Sequence, residues 1–261
     1  MDSVNKTLYI PLYGKAFVSR KGLFLQDESA ERIWQAQGFP LKGKAASKWL
    51  AYNMGMRAAV FDRWTAENLE ENPGAVVLHI GCGLDSRVER VAHKGHQWFD
   101  VDFPEVIAER KNHFSENGED HMLGADVRQP EWLEAVPDGQ SAIVVMEGIS
   151  MYLQLAELRE LMGRLNRRFG PVQLLMDTYT VFAAKASRYK NPINDVGVTQ
   201  VYGIDSPEEL TGDTGFRFVR ERELTPEDLI AWLSRREQRF FRTMFAGKLA
   251  KKIYRLYEYK A

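Results

Sequence analysis

The sequence predicts a doubly wound α/β chain with a mostly parallel sheet and helices on both faces. Three observations carry this reading. Between residues 75 and 179 short apolar runs alternate with helical patterns, the order of βαβ units. The first apolar run ends in Gly81-Cys82-Gly83, where glycines let backbone approach a ligand closely. The second ends in Asp102, 21 positions after Gly81. That is the interval at which such folds place an acid on a ribose. A length of 261 residues allows one large domain or two small ones. With 44% hydrophobic and 27% charged residues the chain can pack a core, which excludes disorder throughout. No run approaches the roughly 18 uncharged apolar residues of a spanning helix. A formal net charge of −1 gives no footprint of a nucleic-acid coat or a membrane-surface protein.

Each element has a local reason. Residues 47–70 read as a helix, because Trp49, Leu50, Met54, Ala58, Phe61 and Leu69 recur near helical spacing. Glu71-Asn72-Pro73-Gly74 then turns the chain. Residues 75–80 are an apolar run closed by glycine, the pattern of a buried strand. Further strands are expected over 97–101, 121–123, 142–146 and 172–176. Helices fit between them over 86–92, 104–114, 131–135 and 155–169. Ser86-Arg87-Val88-Glu89 has the form of a capping box, and Pro104 suits a first helical position. Past Tyr179 the pattern loosens. Residues 190–195 read as a loop and 216–222 alternate like a strand. Thr225-Pro226-Glu227 opens a helix running to about residue 245, and 253–259 form a last edge strand.

The candidate chemistry lies at the ends of the strands, where open α/β sheets bind ligands. Ser86 stands where a dinucleotide fingerprint needs its third glycine, and there is no P-loop lysine. The Gly81 loop therefore suits a nucleoside cofactor without a pyrophosphate; a ligand-free strand-to-helix turn is the other reading. Asp102 is placed to accept hydrogen bonds from ribose hydroxyls. Its rival is Asp100 on the same strand face, and its bland reading is an acid at a helix N-terminus. Asp126 is a candidate for an adenine amino group, with Val127 supplying an amide; an Asx-turn is the alternative. Glu147 follows the fourth strand and is either a ligand group or a helix cap.

Three ordered segments resemble the leucine carboxyl methyltransferase family. They are Gly81-Cys82-Gly83-Leu84-Asp85-Ser86-Arg87, Asp100-Val101-Asp102-Phe103-Pro104-Glu105-Val106-Ile107 and Glu147-Gly148-Ile149-Ser150-Met151-Tyr152-Leu153. Upstream, Ile10-Pro11-Leu12-Tyr13-Gly14-Lys15-Ala16, Ser19-Arg20, Gln26-Asp27 and Arg57 with Phe61-Asp62 extend the likeness over most of the chain. More narrowly, the chain is similar to the bacterial branch that includes tetracenomycin polyketide-type O-methyltransferases. The resemblance implies a class I methyltransferase fold with a seven-stranded sheet, and S-adenosylmethionine as methyl donor. It carries cofactor contacts onto Lys15, Arg57, Gly81, Asp102, Asp126, Val127 and Glu147. Arg57 would fork onto the cofactor carboxylate and Glu147 would meet its ammonium. Without the resemblance, Arg57 reads as a solvated helix residue paired with Asp62. Gln26-Asp27 departs from the usual Asp-Pro, which touches only a local turn, and the chain is short, which implies a smaller substrate cover.

The resemblance further implies one methyltransferase domain over 1–261. Residues 1–70 would be a helical cover, 75–178 the cofactor-binding core, 179–210 a lid and 211–261 C-terminal strands and helices. The lid carries Tyr179, Phe182, Tyr189 and Tyr202 with Asn191-Pro192, Asn194 and Gly197, a composition suited to a mobile cover. Tyr152 would point into the same space and position substrate. The expected activity is methyl transfer to a carboxylate or hydroxyl of a small or polyketide-like molecule. Methylation of a protein C-terminal carboxylate and nonenzymatic cofactor binding are the alternatives. The sequence offers no general base, which favours a carboxylate acceptor.

The remaining features read plainly. The five histidines lack the spacing of a helical zinc motif, and one cysteine builds no Cys-rich site, so no metal is expected. His79 reads as a hydrogen-bonded core group and Cys82 as a small core residue. From Pro226 onward nine basic residues stand against four acidic ones, which reads as a solvated helix face rather than a nucleic-acid surface. The first six residues lack a charged start and an apolar stretch, so the cytoplasm is the expected location.

Overall fold

The computed structural model describes residues 7–37, 41, 43–190 and 200–261. Its sheet is built from β1 (Val76–Ile80), β2 (Trp98–Asp102), β3 (Asp120–Gly124), β4 (Ala142–Met146), β5 (Val172–Tyr179), β6 (Arg217–Arg222) and β7 (Tyr254–Lys260). The spatial order is β3-β2-β1-β4-β5-β7-β6. The first five strands pair in parallel and β7 runs antiparallel to both neighbours. The order reverses between β1 and β4, so the ligand crevice of a doubly wound sheet opens there.

The sheet is apolar on both faces because helices cover both. On one face Val76, Leu78, Val144, Met146, Leu174 and Met176 pack with Leu158, Leu161, Met162 and Leu165. Those leucines belong to helix α6 (Leu155–Arg168), the sixth in chain order. On the other face Val77, Ile143, Val145 and Leu175 meet Met56, Phe61 and Trp64. These come from α3 (Lys48–Glu71), which Ser47 caps by accepting the Trp49 N–H. Ahead of α3 lie α1 (Tyr9–Arg20) and α2 (Glu28–Gln37); the short α4 (Arg87–Arg90) and α5 (Pro104–Arg110) follow β1 and β2.

Several joints differ from the sequence reading. Ser86 does not cap α4: its hydroxyl donates to Asp27 Oδ1 at 2.5 Å and accepts from Arg90 at 2.8 Å. Asp27 therefore does more than shape a local turn, since it ties the start of α2 to α4. Residues 131–135 form a 3-10 turn. The lid region holds a helix, α7 (Val181–Lys190), while the expected loop with Asn191-Pro192, Asn194 and Gly197 lies outside the described residues. The expected helix over 225–245 is two, α8 (Glu227–Ile230) and α9 (Arg235–Phe245), followed by α10 (Gly247–Lys251). The break falls where Ser234 and Glu237 form a capping box. The last strand is interior: β7 buries Leu256, Tyr257 and Tyr259 between β5 and β6, and β6 is the edge. None of the helices among the described residues is long and apolar enough to cross a membrane.

Candidate active site

A cavity of about 760 Å³ opens at the carboxyl edge of the parallel strands. All eight sequence-selected residues line it: Lys15, Arg57, Gly81, Asp102, Asp126, Val127, Glu147 and Tyr152. The glycine loop is shaped for close approach. Gly81 has φ +71°, and a Cβ there would lie 2.8 Å from Ile149.

The structure separates the two rival acids. Asp100 is spent internally: it accepts from His79 Nδ1 at 2.9 Å, Trp98 Nε1 at 3.1 Å and Arg110 Nε at 3.1 Å. Asp102 faces the cavity, and its two oxygens accept the Gly83 and Phe103 N–H groups at 2.8 Å each. Burial raises its carboxyl, and those two amides draw it back only in part. Asp126 closes the Asx-turn, accepting the Arg128 N–H at 3.0 Å, and the Arg128 guanidinium holds its carboxyl low.

Arg57 is not a solvated residue paired with Asp62. It is buried, with Nε donating to Glu147 Oε1 at 3.0 Å and Nη1 to Asp177 Oδ2 at 3.0 Å and to the Tyr254 hydroxyl at 2.9 Å. Nη2 has no hydrogen-bond partner among the described residues. Asp62 serves Arg87 and Arg90 instead, at 2.7 and 2.8 Å. Arg87 also reaches the second Glu147 oxygen. Burial works to raise the Glu147 carboxyl, but Arg57 and Arg87 together hold it below the ordinary range. The Lys15 ammonium lies 3.0 Å from Asp85, whose carboxyl Arg87, Arg90 and Lys15 hold well down against burial.

His79 is the core group the sequence suggests, and its tautomer follows from its partners. An arginine only donates, so Nε2 accepts from Arg87 at 3.0 Å and Nδ1–H donates to Asp100. Cys82 is buried, and burial pushes its thiol well up, so it has no nucleophilic character. Sequence reasoning missed Asp177 and Tyr254. Asp177 lies one residue past the expected end of its strand, and Tyr254 is 197 positions from Arg57. No local pattern connects them.

This sheet order, with a glycine loop after β1 and an acid closing β2, suits a nucleoside ligand, and its likeness to known proteins makes it the sheet of a class I S-adenosylmethionine-dependent methyltransferase. The chain belongs to the leucine carboxyl methyltransferase family, whose model matches residues 3–166. It is 30% identical over 235 residues to tetracenomycin polyketide synthesis O-methyltransferase TcmP of Streptomyces glaucescens, covering 88% of this chain and 87% of that one. The S-adenosyl-L-methionine-dependent methyltransferase dpfgK of Gibberella zeae is 27% identical, over 71% of this chain and 67% of its own. In fold the chain is like magnesium protoporphyrin IX methyltransferase from Synechocystis PCC 6803, solved with bound SAH. The TM-score is 0.52 at 14% identity, covering 89% of this chain and 93% of that one.

Proposed function

We propose that this methyltransferase acts on the carboxylate of a small, polyketide-like acid in the cytoplasm, and that the sequence-selected residues hold its cofactor. The observation that carries the acceptor assignment is that Tyr152, Tyr254, His79 and Lys15 on the cavity wall are each unfit as a general base. Tyr152 is pushed up to about 12 by burial and Tyr254 well up. The His79 Nε2 lone pair is taken by Arg87 and the Lys15 ammonium is held by Asp85. A hydroxyl acceptor could give its proton to none of these four, whereas a carboxylate is already ionised at neutral pH. TcmP, by its name an O-methyltransferase of polyketide synthesis, is a relative consistent with this class of acceptor.

The residues fit the cofactor. Gly81 keeps the loop open, because any side chain there would strike Ile149. Asp102 keeps lone pairs for the ribose hydroxyls, and Asp126 with the Val127 amide addresses the adenine edge. Arg57 Nη2 and Lys15 answer the carboxylate, and Glu147 answers the ammonium. When bound, the cofactor supplies a methyl group on a sulfonium. The chain's own part is to orient that end, exclude water and hold the acceptor oxygen in line. Tyr152, the α7 residues Phe182, Ala183 and Ala186, and the N-terminal helices bound the acceptor space. The test is a panel of candidate acids and matched phenols with radiolabelled methyl donor. We expect label in an alkali-labile methyl ester. Label found only in an alkali-stable ether overturns the carboxylate assignment.

A further inference from the structure

Tyr254 is the first residue of β7, the strand that runs against the rest. Because β7 is antiparallel to β5, with Tyr254 registered opposite Tyr179, its start lies at the carboxyl edge where the cavity opens. The ring lines that cavity, and it meets Tyr179 edge-on at 5.0 Å and 69°. The hydroxyl turns inward. It donates to Asp177 Oδ2 at 2.6 Å and so offers its lone pair to Arg57 Nη1, at 2.9 Å. Asp177 is fully buried, and its other oxygen accepts the Gly148 N–H at 2.7 Å.

These contacts fix the guanidinium plane. Glu147 holds Nε, while Asp177 and the Tyr254 oxygen each take one N–H of Nη1. A planar fork pinned at those points directs the Nη2 hydrogens one way. With the hydroxyl gone, Nη1 keeps one acceptor and the fork can roll.

We propose that Tyr254 is a positioning residue for the cofactor: its hydroxyl, held by Asp177, aims Arg57 Nη2 at the cofactor carboxylate. This rests on the assignment of that carboxylate to Arg57. The ring has a separate place, as a wall of the acceptor space. Both roles come from an element outside the sheet's parallel part.

The experiment is a double-mutant cycle read by isothermal titration with S-adenosylhomocysteine, which has the same carboxylate. Tyr254→Phe should weaken binding roughly threefold to tenfold, the effect of one hydrogen bond. In an Arg57→Lys background, where the fork is already absent, it should cause no further loss. Equal losses in both backgrounds, or no loss in the wild type, overturn the proposal alone. Undiminished affinity in Arg57→Lys overturns the carboxylate assignment and this proposal with it. In turnover, Tyr254→Phe should raise KM for S-adenosylmethionine and leave kcat and the acceptor KM unchanged, a split that general loosening would not give. Asp177→Asn, which removes the carboxylate that orients the hydroxyl, is the second variant and should show the same split.

Discussion

Asp100 and Asp102 stand two residues apart on one strand face, and everything that distinguishes them comes from elsewhere in the chain. Among the described residues Asp102 carries only two backbone amides besides its cavity-facing surface. Asp102→Ala should therefore weaken S-adenosylhomocysteine binding by about 1.5–3 kcal/mol, as for hydrogen bonds to a charged group. Its thermal midpoint should stay close to wild type, and unchanged affinity would remove the ribose role. Asp100→Ala behaves differently. It leaves the buried Arg110 guanidinium without its counter-ion and His79 without its acceptor. Breaking such a pair costs about 3–5 kcal/mol, so urea unfolding should show a loss of that size. The sequence brought out both acids and the interval from Gly81. The choice between them depends on Arg110 and His79, whose side chains meet Asp100 only in the folded molecule. Arg57 is the same lesson reversed: its nearby acid Asp62 is a false partner, and its real ones are Glu147 just past β4, Asp177 of β5 and Tyr254 of β7.

At the scale of elements, types were legible and joints were not. Apolar runs and helical spacing mark β1 to β5, α3 and α6 directly. The cap at Ser86 fails because Asp27 and Arg90 claim its hydroxyl. The helix over 225–245 breaks because Ser234 and Glu237 begin a new one. The charges at Arg255 and Glu258 give β7 the look of an edge, yet Arg220 and Arg222 of β6 neutralise Glu258 at 2.8 and 2.7 Å and let it lie inside. The glycine loop offers a graded test. Gly83→Ala meets only Leu8 Cβ at 3.6 Å, so it should cost mainly the left-handed backbone, about 1–2 kcal/mol. Gly81→Ala carries that cost and also drives a methyl to 2.8 Å from Ile149, two residues past Glu147. Its urea midpoint should fall further, and cofactor affinity should fall with it. Equal costs at the two positions would mean that Ile149 yields freely.

Across the whole molecule, one buried charge network joins the N-terminal helices to the sheet edge. Lys15 of α1 pairs with Asp85, and Arg90 with Asp27, Asp62 and Asp85. Arg87 spans Asp62 and Glu147. Burial works to raise Asp85, Asp100 and Glu147, but their cations hold all three below their ordinary values. A carboxyl lowered in the folded state contributes stability that is complete above its unfolded value, near 4, and lost as pH falls through the folded one. Asp102 and Asp177 are raised, so their contribution has the opposite sign and is lost as pH rises through their folded values. Three lowered carboxyls stand against these two, so the thermal midpoint should drop as pH falls below about 4. A higher window isolates the chemistry. If the acceptor is a carboxylate, it does not titrate between about pH 6 and 8, and the single-turnover rate should be flat there. A rate that climbs with an apparent pKa near 7 or above, while the midpoint stays level, would place the proton on the acceptor and make it a hydroxyl.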